Sequence, residues 1–209
     1  MKTISADYSS QMEMSISAKP ERLHEGMWLS AAWRSDMRRK FSLAVVTAFA
    51  VLPLGSAIAQ VGESGYSLPL SLALKASTTA IASCGAQGYA VSAAIVDTSG
   101  VIRLELKGDR STIHTTATAY RKAYTVVTFG PIFRFDASST FAALAAKNPS
   151  GAALATLPDI ALLPGGVAIK VGDEIVAALG IGGSPGGDKD EVCAQAGVES
   201  IKDDIARAR

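Results

Sequence analysis

The sequence predicts a single α+β domain: an antiparallel sheet of about five strands flanked by helices, in the order α-β-β-α-α-β-β-β-α. Three observations carry that prediction. Residues 101–107 (VIRLELK) alternate apolar and charged side chains, the period of a strand with one wet face. Asp97-Thr98-Ser99-Gly100 and Gly172-Asp173 place tight turns between consecutive strand candidates, and tight turns pair strands antiparallel. Stretches with apolar residues at helical spacing lie before, between and after the strands.

The elements follow in chain order. Leu70–Cys84 reads as a helix with Leu70, Leu74, Ile81 and Cys84 on its apolar face, stopped by Gly85 and Gly88. Tyr89–Asp97 and Val101–Lys107 form a hairpin. Ser111 or Thr112 can cap the next helix, along which Ile113, Ala117, Tyr120, Tyr124 and Val127 form an apolar stripe. Gly130-Pro131 is expected to end it, and an Ala-rich helix follows at Ser138–Lys147. Residues 148–158 read as loop. Strands are expected at Ile160–Leu163, Val167–Val171 and Glu174–Ile181; the last is apolar on both faces and so central. Asp190–Ala206 closes the domain as a helix, with Ala194, Val198, Ile201 and Ile205 on one stripe.

Composition bounds the whole chain. It has 209 residues, 48% hydrophobic, with 20 basic against 19 acidic side chains, which excludes collagen-like, coiled-coil and strongly disordered classes. The balanced charge gives no reason to expect a nucleic-acid partner, which needs a basic surface. All five Met and both Trp lie at or before position 37, so the front of the chain is a different kind of polypeptide.

That front carries a targeting pattern. Met37-Arg38-Arg39-Lys40 is a basic block, 41–54 is an uncharged run of 14 residues, and Ala57-Ile58-Ala59 is a small-x-small cleavage site. In this order the three parts define a secretory signal peptide at 37–59. A buried helix or membrane anchor is the competing reading, but the run is short for a bilayer, which takes about 20 residues. The signal reads naturally from Met37, so residues 1–36 are expected to be either an upstream segment that is not translated or an unusually long n-region. Residues 60–67 are a flexible start and 68–209 the domain. After cleavage the chain carries 13 basic and 14 acidic residues, has no membrane span, and is expected in the periplasm or outside the cell. There Cys84 and Cys193 can form a disulfide, or remain two buried thiols.

The side chains restrict the chemistry. Residues 60–209 contain one histidine, His114, and two distant cysteines, too few for a typical zinc site or iron–sulfur cluster. Gly182-Gly183-Ser184-Pro185-Gly186 matches the G-x-S-x-G nucleophile elbow. Pro185, however, has no N–H for an oxyanion, and the histidine precedes the serine. Nor does this loop suit phosphate: Asp188, Asp190 and Glu191 follow it and read as helix caps. His114 lies at the start of the amphipathic helix with Arg121 seven residues on, and Thr115 and Lys122 form a parallel pair. An imidazole, a hydroxyl and two cations on one edge would suit a haem, through axial ligation and pairing with propionates. On chemistry alone an ordinary surface or capping histidine explains His114 as well.

Three blocks together resemble the GlcG/HbpS-like haem-binding family, whose fold also appears as the C-terminal domain of PduO proteins. They are Val91-Ser92-Ala93-Ala94-Ile95-Val96-Asp97 with Gly100; Asp109 through His114-Thr115 to Arg121-Lys122-Ala123-Tyr124-Thr125; and Gly165-Gly166-Val167-Ala168-Ile169 through Gly180-Ile181-Gly182-Gly183 to Asp190-Glu191 and Cys193-Ala194. The resemblance implies an antiparallel sheet flanked by helices, assembly into symmetric homo-oligomers, and binding of haem or a related tetrapyrrole. His114, Thr115, Arg121 and Lys122 are the implied binding residues, with His114 on the haem iron and Thr115 as rival. The implied role is haem scavenging, buffering or redox sensing, with a membrane sensor as partner. A partner-binding module without haem and a haem-degrading enzyme are the alternatives. One departure stands out: Asp109-Arg110-Ser111 replaces the D-G-A that often precedes the family's helix.

Overall fold

The computed structural model describes residues 64–207. The targeting pattern and the upstream segment lie outside them. Among the described residues no helix is long and apolar enough to cross a membrane.

The elements are α1 (Leu70–Gly85), β1 (Ser92–Asp97), β2 (Ile102–Lys107), α2 (Thr115–Phe133), α3 (Ser138–Lys147), the short α4 (Gly151–Leu154), β3 (Gly166–Val171), β4 (Glu174–Gly182), α5 (Gly187–Glu199) and α6 (Lys202–Arg207). The sheet has four antiparallel strands in the order β2-β1-β4-β3. β4 is buried from Ile175 onward and central, as its two apolar faces require. β2 is an edge strand whose side chains alternate between exposed and half-buried from Arg103 to Lys107. The turn into it is held by Asp97, whose carboxylate Oδ1 accepts the N–H groups of Ser99 and Val101, both at 3.0 Å.

Helices cover both faces. Under α1 and α5 the core is built from Ala76, Ala80, Ile95, Ile169, Leu179, Ile181 and Ala194. Under α2 and α3 it is built from Val96, Ala123, Val126, Phe141, Ile175 and Ala178. The aromatic side chains gather here, with Phe141 stacked on Phe129 and Phe135 at centroid distances of 4.6 and 5.3 Å.

The predicted fifth strand is absent: Ile160–Leu163 runs irregularly. Its backbone groups find side chains instead of a ladder. Ala161 donates its N–H to Thr125 Oγ1 (2.9 Å), Ile160 O accepts from Arg121 Nη2 (2.8 Å), and Leu163 O accepts from Ser138 Oγ (2.9 Å). Bonds made to helix side chains satisfy the segment without pairing it.

Two helix faces also differ from expectation. On α1, Leu70 and Leu74 are 62% and 39% exposed, and the buried face is Ala73, Ala76, Ser77, Ala80 and Cys84. The reason is closeness. A Cβ on Gly197 of α5 would lie 2.5 Å from Ala76 O, so only small residues fit between these helices. Cys84 and Cys193 join the same pair through a disulfide, with Cα atoms 5.5 Å apart.

On α2, Ile113 is 96% exposed and Ala117 is exposed, while Tyr120 and Tyr124 are only partly buried. The inner face is Thr115, Ala119, Lys122, Ala123 and Val126. A Cβ on Gly180 of β4 would sit 2.0 Å from Ala119 O, so the helix lies directly on the strand. α2 also runs through Pro131 to Phe133, where Arg134 closes it in the left-handed conformation (φ 55°). The single closing helix is two, α5 and α6, with Ile201 and Ile205 still buried.

Candidate functional site

The loop Gly108–His114 delivers α2 to the sheet. It opens with a turn in which Ser111 N–H donates to Gly108 O at 3.1 Å. Arg110 occupies the third position of that turn with φ 62°, the left-handed region that glycine enters freely. The residue that replaces glycine in the D-G-A pattern therefore takes a glycine-like conformation.

Polar groups brace the loop from below. Lys107 Nζ donates to Ser111 O (2.9 Å) and Thr112 O (2.7 Å). Thr115 Oγ1 donates to Thr112 O (2.8 Å), which leaves it to accept from Ser92 Oγ at 2.7 Å. Ser92 and Thr115 are fully buried.

What this base carries is exposed. Ile113 and His114 stand in solvent. His114, rather than Ser111 or Thr112, is the residue that precedes α2, and it makes no side-chain cap. Thr112 instead holds the ring: its Oγ1 lies 3.1 Å from His114 Nδ1. In the tautomer whose Nδ1–H donates to Thr112 Oγ1, the Nε2 lone pair is left for an outside ligand.

The four predicted site residues separate into two pairs. His114 and Arg121 face outward, and Arg121 also donates to Ile160 O. Thr115 and Lys122, each one residue further on, face inward. Adjacent helical residues point about 100° apart, and here that angle divides surface from core. Lys122 Nζ lies 2.6 Å from Asp190 Oδ2, with both side chains only 3% exposed. Asp190 Oδ1 also accepts from Ser184 N–H at 3.0 Å. Glu191, beside it, accepts from Ser139 Oγ (2.6 Å), Ser139 N–H (3.0 Å) and Gly165 N–H (3.2 Å).

Asp190 and Glu191 are thus buried clamps joining α2, α3, α5 and two loops, not simple helix caps. Sequence reasoning missed that role. The available signal was that both carboxylates and Lys122 fall within the blocks carrying the resemblance. Ser184 Oγ donates to Gly186 O at 2.7 Å, which makes the G-x-S-x-G segment a turn.

Tyr120, on the outer flank of α2, has its phenol held above the usual range by burial and by the Asp159 carboxylate. Asp159 is itself left-handed, at φ 62°. The cleft of about 450 Å³ at the far edge of the sheet is lined by Asp136, Lys170, Glu199, Lys202 and Ile205, and shares no residue with the α2 end.

Among the described residues no group of three or more His, Cys, Asp or Glu is placed to hold a metal ion. One exposed imidazole can serve a metal that arrives with most of its ligands, as in a macrocycle. An exposed isoleucine beside it suits a flat apolar ring, and an exposed arginine suits its carboxylates.

Comparison with known proteins gives the same architecture a family. The profile described as "Haem degrading protein HbpS-like" matches residues 68–199. A double mutant of HbpS from Streptomyces reticuli is 30% identical; the match covers 73% of this chain and 98% of that one, with a TM-score of 0.60. The PduOC:heme complex is 18% identical over 65% of this chain and 96% of that one (TM-score 0.56). The Klebsiella pneumoniae protein ORFY is 15% identical over 68% and 97% (TM-score 0.57). The latter two likenesses are of fold alone. No curated protein sequence matches the chain. With most of its described domain matched by one family profile, the chain belongs to the HbpS-like family.

Proposed function

We propose that this protein binds haem or a related tetrapyrrole on the outward face of α2. The observation that carries the reading is the Ile113–His114 pair, solvent-exposed on a loop fixed by buried hydrogen bonds, with His114 Nε2 free. His114 would hold the iron, Ile113 would pack against the ring, and Arg121 would pair with a propionate. Bound haem would supply a redox-active iron. Thr115 is the weaker candidate for the iron, because its hydroxyl is buried and engaged by both Ser92 and Thr112. Lys122 serves the fold through Asp190. The family membership and the haem-bound PduOC relative support this reading.

The signal pattern at 37–59 supports export, to the periplasm or outside the cell. There, as a homo-oligomer, it scavenges or buffers haem, or reports it to a membrane sensor. Haem degradation is a second reading, favoured by the family's own description.

Hemin titration tests the proposal. A saturating Soret shift near one hemin per chain, lost in His114→Ala, is expected; an unshifted spectrum contradicts it. Loss of the band with reductant and oxygen, with a biliverdin-like product, favours the degrading reading.

A further inference from the structure

We propose that Arg110 is a specificity-determining residue of the same site, the cation that pairs with a carboxylate of the bound macrocycle. This rests on the haem reading above. Arg110 is held at φ 62° in the turn Gly108–Ser111, a conformation that crowds an L side chain and that glycine would adopt freely. Within the domain the arginine brings no evident return. It is exposed, and among the described residues no hydrogen bond or ion pair engages its guanidinium. Its neighbours differ. Lys107 braces the loop, Arg103 faces Asp97, Arg121 holds Ile160, and Lys122 is buried on Asp190.

An unfavourable backbone state therefore presents a free, planar, five-donor cation four residues before the exposed imidazole. Because Lys107 and the Ser92–Thr115 bond fix this loop, the Arg110 side chain extends from a backbone braced together with that of His114. A planar fork of N–H groups matches a carboxylate, and a tetrapyrrole with propionates presents two. Arg110 and Arg121 stand on either side of His114 in sequence, one cation for each carboxylate.

The test compares hemin with hemin dimethyl ester, which keeps the ring and iron but carries no carboxylate. Both are titrated by Soret absorbance into the protein and into Arg110→Gly and Arg110→Lys, with thermal melts of the ligand-free proteins. Arg110→Gly is expected to weaken hemin about fivefold, the scale of one surface charge pair, and to leave the ester unchanged. Its Tm should equal or exceed that of the wild type, since the turn is relieved. Arg110→Lys should fall between the two. Wild-type hemin affinity in Arg110→Gly overturns the inference. So does an equal loss for hemin and ester, which would assign the effect to loop shape. A wild-type protein that takes no hemin overturns the underlying reading, and that result is visible before any variant is made.

Discussion

The two sides of α2 are built from the same kinds of residue to opposite ends. Outside, His114 and Arg121 stand in solvent. Inside, Thr115 and Lys122 are sealed against Ser92 and Asp190. Each inner residue immediately follows an outer one, so a rotation of about 100° between adjacent residues assigns one of each pair to the core and leaves the other in solvent. A polar motif on a helix that lies close against a sheet is therefore two half-motifs. Only the outer half is open to solvent, and the haem proposal rests on that half.

The comparison can be broken from the inside first. Removing the disulfide with Cys84→Ala and Cys193→Ala frees a loop of 109 residues. The expected loss is about 4–5 kcal/mol, on the chain-entropy account, measured by urea unfolding against the oxidised wild type. Lys122→Ala should destabilise by about 3–5 kcal/mol, because it leaves the Asp190 carboxylate buried and unpaired. The double variant Lys122→Met with Asp190→Leu should recover much of that loss, which would separate the stranded charge from lost packing. Thr115→Val removes the donor to Thr112 O and the acceptor for Ser92, at about 1–3 kcal/mol.

On the outside the stability effects should nearly vanish. Ile113→Ser is expected to change stability by under about 0.5 kcal/mol, because the side chain is already in water, while hemin affinity falls. The smallest effect is at alkaline pH. Tyr120's folded pKa is raised, so its contribution is fully present below about pH 10 and is lost as pH rises through the folded value. Tyr120→Phe should flatten that alkaline decline in a pH series of thermal melts.

Much of the fold was legible because it follows from period and punctuation. The hairpin around Asp97–Gly100, the Ser138–Lys147 helix and the central β4 need only alternation, turn residues and apolar runs. The buried helix faces were not, for a physical reason. Hydrophobic periodicity weights large side chains, but α1 and α2 approach their neighbours so closely that alanine, serine and threonine fill the contact. Leu70, Leu74 and Ile113 are displaced outward.

The fifth strand failed on another count. Ile160–Leu163 is apolar enough for a strand, but Arg121, Thr125 and Ser138 take the backbone groups a ladder would use. At the candidate site, the directions of the side chains were not legible, since nothing in the sequence alone says that Asp190 waits opposite Lys122.

The most direct measurement takes four variants through one pair of assays: His114→Ala, Thr115→Ala, Arg121→Ala and Lys122→Ala, each by thermal melt and hemin titration. The outer two should weaken hemin, His114→Ala most, with only small shifts in Tm. The inner two should lower Tm clearly, with hemin binding retained wherever the protein stays folded. A Thr115→Ala or Lys122→Ala protein that melts like the wild type but no longer takes hemin would contradict the account.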